Sequence, residues 1–253
     1  MSGRMASKKG PTMLVSKAVV AAEGLCIDTN TKLSSSEGQA LWDAGVRYII
    51  RYVPLPGNSA GGDLDVGELT RLTAIGHTVI PIQHPRSPQY NTLNATTGLA
   101  DAQHAINYCL SIDIDPSKVS VANGGRPPAL GLDMEGLKNP GPDSFAHAKV
   151  WVTTVLAAGF SALVYFGYDS GVTSAQADEL TALGAFVIFW CDAGPYNQRP
   201  APSQRYTLKQ HMQQSVLAGV NVDKDDILQD NVLYGIAFAP DPTPDPDATI
   251  QPA

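Results

Sequence analysis

The sequence predicts an α/β fold: a single (β/α)8 barrel of the TIM type, with irregularity expected in its last strands. Three observations predict it. Short apolar runs of strand character alternate with helix-length segments, the pattern of a parallel sheet. Acidic residues repeatedly end those runs: Asp28, Asp133 with Glu135, Asp192 and Asp223. In a closed barrel the C-terminal strand ends meet on one face, where active sites lie. Finally, no Gly-rich phosphate fingerprint follows the first run, as a nucleotide-binding wound sheet would require.

The elements follow in order. Residues 24–28 read as the first strand, with Asp28 at its end. Ser34 or Ser35 caps a helix that Gly45 stops. Residues 46–53 form a strong β run, and a Pro/Gly-rich loop follows. Asp65 caps the next helix with Glu68 at its third position, and Gly76 ends it. Residues 77–83 are the third strand. Pro81 has no N–H to give, so a bulge or irregularity is expected there. A polar loop with Arg86, Gln89 and Tyr90 leads to a helix over residues 98–110, in which His104 reads as a packing residue. The strand of residues 129–135 carries Asp133 and Glu135. Asp143 or Ser144 opens a helix to Gly159. A strand over 161–167 and a helix from Thr173 or Ser174 follow. Residues 185–190 are continuously apolar, the mark of a strand buried on both faces. Shorter strands are expected at 206–211 and 218–223. The barrel is assigned to residues 24–239. Residues 1–23 read as a flexible arm, and the Pro/Asp-rich residues 240–253 as a disordered tail or linker.

The carboxylates of Asp133 and Glu135 carry the chemistry. Strand side chains alternate, so residues two apart share a face, with Cα atoms roughly 6.6 Å apart. Like charges held that close push one pKa up, which suits a general acid at neutral pH. Glycosidases use this arrangement: one carboxylic acid protonates the leaving oxygen while another carboxylate aids attack or stabilises charge. The same spacing also serves a metal ligand pair or a solvated loop. Tyr52, Tyr165, Trp190 and Tyr196 are candidate sugar platforms or, equally, packing residues. Arg51 is a candidate partner for the carboxylates, and such a pairing would lower their pKa values. Gln83, Asp192 and Gln210 complete the candidate substrate-binding set.

Composition narrows the function classes. With 43% hydrophobic and 16% charged residues, the 253-residue chain is folded rather than disordered. The 17 basic residues are outnumbered by 24 acidic ones and form no stripe, which argues against nucleic acid as a partner. No apolar run reaches the ~18 residues of a membrane span. Residues 1–9 are basic and 13–22 mostly apolar, but Lys17 interrupts that run, so the segment fits a signal peptide poorly. Cys26, Cys109 and Cys191 are odd in number, fit no zinc spacing, and read as buried thiols. No cofactor is expected.

These residues carry a family likeness. Over residues 24–236 the chain resembles the DUF1906-type glycoside-hydrolase-like barrel domains, which are in turn similar to the family 25 lysozymes, muramidases that cut peptidoglycan. Asp28 matches their first-strand Asp, Asp133-Met134-Glu135 their Asp-x-Glu strand, and Phe189-Trp190 a strand near the cleft. Gln210 followed by Val220-Asn221-Val222-Asp223 is similar to their closing segment. The chain departs from them at Thr29-Asn30-Thr31-Lys32, from Cys191 to Tyr196, and at His211-Met212-Gln213-Gln214.

The resemblance implies cleavage of a β-1,4 bond beside an N-acetylated sugar. Glu135 would be the acid, and Asp133 or Asp28 would orient the N-acetyl group or stabilise developing positive charge. Asp223 would act across the mouth. The implied partner is peptidoglycan or a related glycan, met outside the cell, at the cell wall or on a virion. A different class of function is an inactive glycan-binding or structural module, assembled with other proteins through its termini. A third is metal-assisted hydrolysis with Asp28, Asp133, Glu135 and Asp223 as oxygen ligands. His84 and His211 are the histidines nearest the strand ends, a poor basis for zinc.

Overall fold

A computed structural model describes residues 24–58, 61–86, 93–118, 127–135, 142–167, 170–184, 187–192 and 206–228. The arm, the tail and Tyr196 lie outside the described residues, as do Gln89 and Tyr90. Eight strands close into one barrel in sequence order. They are β1 (Leu25–Thr29), β2 (Val46–Val53), β3 (Thr78–Gln83), β4 (Ala129–Met134), β5 (Ser161–Phe166), β6 (Val187–Asp192), β7 (Leu208–Leu217) and β8 (Val220–Ile227). Helices α1 (Ser35–Asp43), α2 (Val66–Ile75), α3 (Ala95–Ser111), α4 (Pro142–Ala157) and α5 (Ser174–Thr181) lie between strands in the chain.

Local chemistry sets the helix ends. Ser34 caps α1 in a reciprocal box with Glu37, and Thr173 caps α5 in the same way with Gln176. Asp65 accepts from the Glu68 N–H at the start of α2. Gly76 closes α2 in a left-handed conformation, φ 118°, which a side chain rarely adopts.

The barrel is mixed, which corrects the expectation of parallel strands throughout. Neighbours from β1 to β7 run parallel, but β8 is antiparallel to both β7 and β1. The cause is the link between β7 and β8. Ala218 and Gly219 alone join them, both at positive φ (53° and 84°). Two such residues make a hairpin turn, whereas a parallel return needs a dozen or more. The last strand therefore begins at Val220 rather than 218. Pro81 causes no bulge against β2, where the register runs unshifted from Tyr48↔Thr78 to Val53↔Gln83. On its other side β3 pairs with β4 only at Ile82 and Gln83.

Alternation along each strand makes two cores. Outward residues such as Ile27, Ile49, Val79, Leu132, Val164 and Phe189 pack with the helices. Inward residues fill the barrel: Cys26, Tyr48, Ile50, Ile80, Ile82, Leu163, Tyr165, Ile188, Trp190 and Leu208. Gly131 belongs to the inward series, and a Cβ there would come within 2.7 Å of Ile82. The three cysteines are free and buried, as expected.

Candidate active site

The inward series ends in acids. Asp28 is the last inward residue of β1, and Asp133 that of β4. Across the seam, Asp28 pairs in register with Asp223 on β8. Antiparallel β8 thus delivers its early residues to the face where the parallel strands end. Tyr52, inward on β2, feels the charges of Asp133, Asp28, Glu135 and Asp223 together, so the four acids share one mouth.

Glu135 stands just beyond β4 rather than within it. Its N–H donates to Asp133 Oδ1 (3.0 Å), so the first carboxylate fixes the turn that presents the second. Gly167, after β5, makes room: a Cβ there would lie 2.1 Å from the Glu135 Cβ. On the other side, the Tyr52 hydroxyl reaches Asp133 Oδ2 at 3.4 Å, and the Tyr52 ring stacks on His84 at 4.5 Å. His84 Nε2 in turn meets Asp63 Oδ1 at 2.8 Å.

Gln210 ties β1, β5, β7 and β8 together. Its amide nitrogen donates to Asp28 Oδ2 (3.1 Å) and more distantly to Asp223 Oδ2 (3.4 Å). Its carbonyl oxygen accepts from the Tyr165 hydroxyl (3.1 Å). A neutral amide thus donates to both carboxylates and bridges them without adding charge.

The electrostatics favour protons. Asp28 is pushed up to about 7, first by burial and then by the charge of Asp223, against the lowering bond from Gln210. Asp133 is raised well above the usual carboxylate range, by burial first and Glu135 second. Burial also dominates the rise of the Tyr52 phenol, with Asp133 next. Among the leading influences on Asp28 and Asp133 there is no cation.

Several candidate residues stand elsewhere. Arg51 faces outward from β2, fully buried, and its Nε donates to Glu68 Oε1 at 2.8 Å. Its other nitrogens reach Glu68 Oε2, the Thr29 carbonyl and the Gly62 carbonyl. It therefore pairs with a helix carboxylate and not with the mouth acids. Gln83 also faces outward, bonded to the Trp151 indole N–H (2.8 Å) and the Asp101 carbonyl (3.0 Å). Tyr165 and Trp190 lean together inside the barrel, ring centroids 4.1 Å apart, at 1% and 0% exposure. Such burial makes them packing residues, while Tyr52 keeps a half-buried face. The strand β6 carries Asp192 to its end, level with Gln210.

One acid escaped the reading of the sequence. Asp225 lies two residues beyond Asp223 on the same inward face, paired with Cys26 and buried. The alternation of Val220 and Val222 with Asp223 and Asp225 was the available signal. Among the described residues, no group of three or more His, Cys, Asp or Glu is arranged to hold a metal ion.

Eight strands around a filled interior, with acids gathered at one mouth, define a TIM-like barrel, and comparison with solved structures agrees on the fold. An uncharacterized B. stearothermophilus protein superposes with TM-score 0.60 at 17% identity, over 83% of this chain and 99% of that one. The Mycobacterium tuberculosis Tat-secreted protein Rv2525c gives 0.56 at 16%, over 83% and 98%. A muramidase from Trichobolus zukalii gives 0.54 at 17%, over 83% and 94%. Comparison with protein-family models and with curated proteins gives no match. The fold is thus one that muramidases also use.

Proposed function

We propose that this chain is a glycoside hydrolase of the DUF1906-type group, acting on cell-wall peptidoglycan or a related N-acetylated glycan. The observation that carries the reading is the cluster of carboxyl groups at the barrel mouth around Glu135, of which Asp28 and Asp133 are raised, first by burial, toward their protonated forms. Glu135, half-buried and fixed through its N–H, protonates the leaving glycosidic oxygen. As that bond lengthens, positive charge grows on the sugar ring. Asp28 and Asp223, held by Gln210, stabilise that charge, and Asp133 orients the N-acetyl group. Tyr52 supplies a sugar-facing ring. The fold shared with a muramidase supports this substrate class. Such a substrate places the protein outside the cell, at the wall or on a virion that meets it.

The test is reducing-end release from purified peptidoglycan and from chitin oligomers by the wild type and Glu135→Gln, with a parallel pull-down on insoluble wall. Release that Glu135→Gln lowers by about 10²-fold or more supports the enzyme. Binding by both proteins without release assigns a glycan-binding module instead. Folded protein that neither binds nor releases removes cell-wall glycan as the substrate.

A further inference from the structure

Among the described residues, Asp225 is the one buried acid of the barrel interior for which the proposed reaction has no use. Its environment is unusual. Among the described residues, neither carboxylate oxygen has an aligned hydrogen-bond partner, and neither does the nearby Trp190 indole N–H. The groups facing it are Cys26 and Asp28 on β1, Gln210 opposite on β7, Trp190 on β6, and Asp223 and Asp226 on its own strand. None of these is a cation. An ionised carboxylate in such a place would lose its hydration for no compensating charge, a cost that proteins avoid by neutralising the group. Asp28 stands next to it across the β1–β8 pairing and is already held from above by Gln210.

We propose that Asp225 stays protonated in the folded protein and offers its O–H to Asp28 from below, a positioning residue that favours the carboxylate form of Asp28 beneath the mouth. The two acids of β8 then divide their roles: Asp223 faces the substrate side and Asp225 holds a proton. The electrostatics agree in direction. Burial raises Asp225 most, with Asp28 next, against a lowering interaction with the Trp190 indole N–H too poorly aligned to count as a hydrogen bond, while a bond from Asp225 lowers Asp28. The Cys26 thiol, raised by burial and then by the charge of Asp225, is a neutral neighbour in either case.

The protonation state needs no activity to be tested. Infrared difference spectra between wild type and Asp225→Asn at pH 7 should contain the carbonyl stretch of a protonated carboxyl group. A carboxylate pair of bands in its place overturns the proposal. Thermal unfolding gives a second reading, valid if the amide variant folds. Asparagine is neutral at every pH, so the midpoint of Asp225→Asn should rise relative to wild type between pH 4 and pH 8. A relative fall shows that Asp225 is ionised and stabilising. Only the positioning role rests on the glycosidase reading. In an active protein, Asp225→Ala removes the donor beneath Asp28 and should shift the acid-side midpoint of the pH–rate profile upward, and Asp225→Asn should restore it. Equal loss of rate at every pH reduces Asp225 to a packing residue. A wild type without turnover defeats the glycosidase reading and leaves the spectral result standing.

Discussion

Glu68 and Asp28 are both buried carboxylates of this barrel, one behind the β2 wall and one inside it. Glu68 is fully enclosed and meets Arg51 through two bonds, with the Leu33 N–H on Oε1 as well. Nearby, Asp101 in α3 is matched in the same way by Arg86. Asp28 is nearly as buried, but its neighbours are Gln210 and further acids. The outer layer thus neutralises buried charge with an opposite charge, and the interior does so with protons. A charge matched by a guanidinium serves the structure and has little chemistry left. A carboxyl group kept near its titration point can give and take protons, which is why perturbed groups gather at functional sites.

The largest effect should come from breaking the matched pair. Arg51→Ala leaves Glu68 buried without its partner, and removing one member of a buried pair costs about 3–5 kcal/mol. Urea unfolding at pH 7 measures it. A loss of under about 1 kcal/mol, the level of an exposed pair, would show that the outer layer does not depend on matched charge.

The mouth should respond first in activity. Gly167→Ala places a methyl group against the Glu135 side chain and displaces it. A misplacement near 1 Å lowers turnover on the order of 10²-fold. Glycan release should fall while the far-ultraviolet circular dichroism stays that of the wild type. Unchanged release would mean that the position of Glu135 does not limit the reaction.

The interior acid also predicts a pH signature. The folded value of Asp28 is about 7, against about 3.9 for an unfolded aspartate. A group raised on folding contributes stability that is complete below its unfolded value and is lost as pH rises through the folded one. The wild type should therefore lose stability from about pH 4 to about pH 7, the window set by those two values. Asp28→Asn should flatten that fall and be the more stable protein at pH 8. Melting midpoints across that range decide it, and a wild type that gains stability toward pH 7 would refute the raised value.

How far the sequence could show this contrast depends on which physical signal each residue leaves. Asp28 and Asp133 end apolar runs with the right parity, so their inward direction follows from strand alternation, whereas Asp223 lies inside β8 and reaches the mouth only because that strand runs antiparallel. Arg51 and Gln83 sit in equally clear strands, yet whether a polar strand residue faces the helices or the barrel depends on which parity lines the interior. Val46-Arg47-Tyr48-Ile49-Ile50-Arg51-Tyr52-Val53 is apolar on both faces, so parity alone does not decide it. The hydroxyl of Tyr165 points the same way as Asp133, but burial beside Trp190 is a tertiary fact with no local mark. The direction of β8 was legible in principle, since two residues between strands force a hairpin. Ala218-Gly219 lacks the Asn-Gly or Asp-Gly form that usually announces one, and the turn was read as strand. Asp225 went unnoticed because it lies deeper than a strand end, where buried acids are rare.

The smallest effect sharpens the comparison most, because it alters one bond and no charge. Tyr52→Phe removes the hydroxyl that reaches Asp133 Oδ2 at 3.4 Å and keeps the ring that stacks on His84. At that length the bond is worth about 1 kcal/mol, or roughly fivefold in rate. Asp133 loses an interaction that lowers its pKa, so it holds its proton to higher pH and the acid-side limb of the pH–rate profile should move upward. Tyr52→Leu removes the ring as well and should add a loss of glycan affinity, seen in KM. If Tyr52→Phe changes KM and leaves the pH profile in place, Tyr52 contributes a sugar contact and nothing to the proton balance of the mouth. If it moves the profile and leaves KM, the interior acids are tuned by neutral hydroxyl and amide donors, Tyr52 for Asp133 and Gln210 for Asp28, where the outer layer uses arginine.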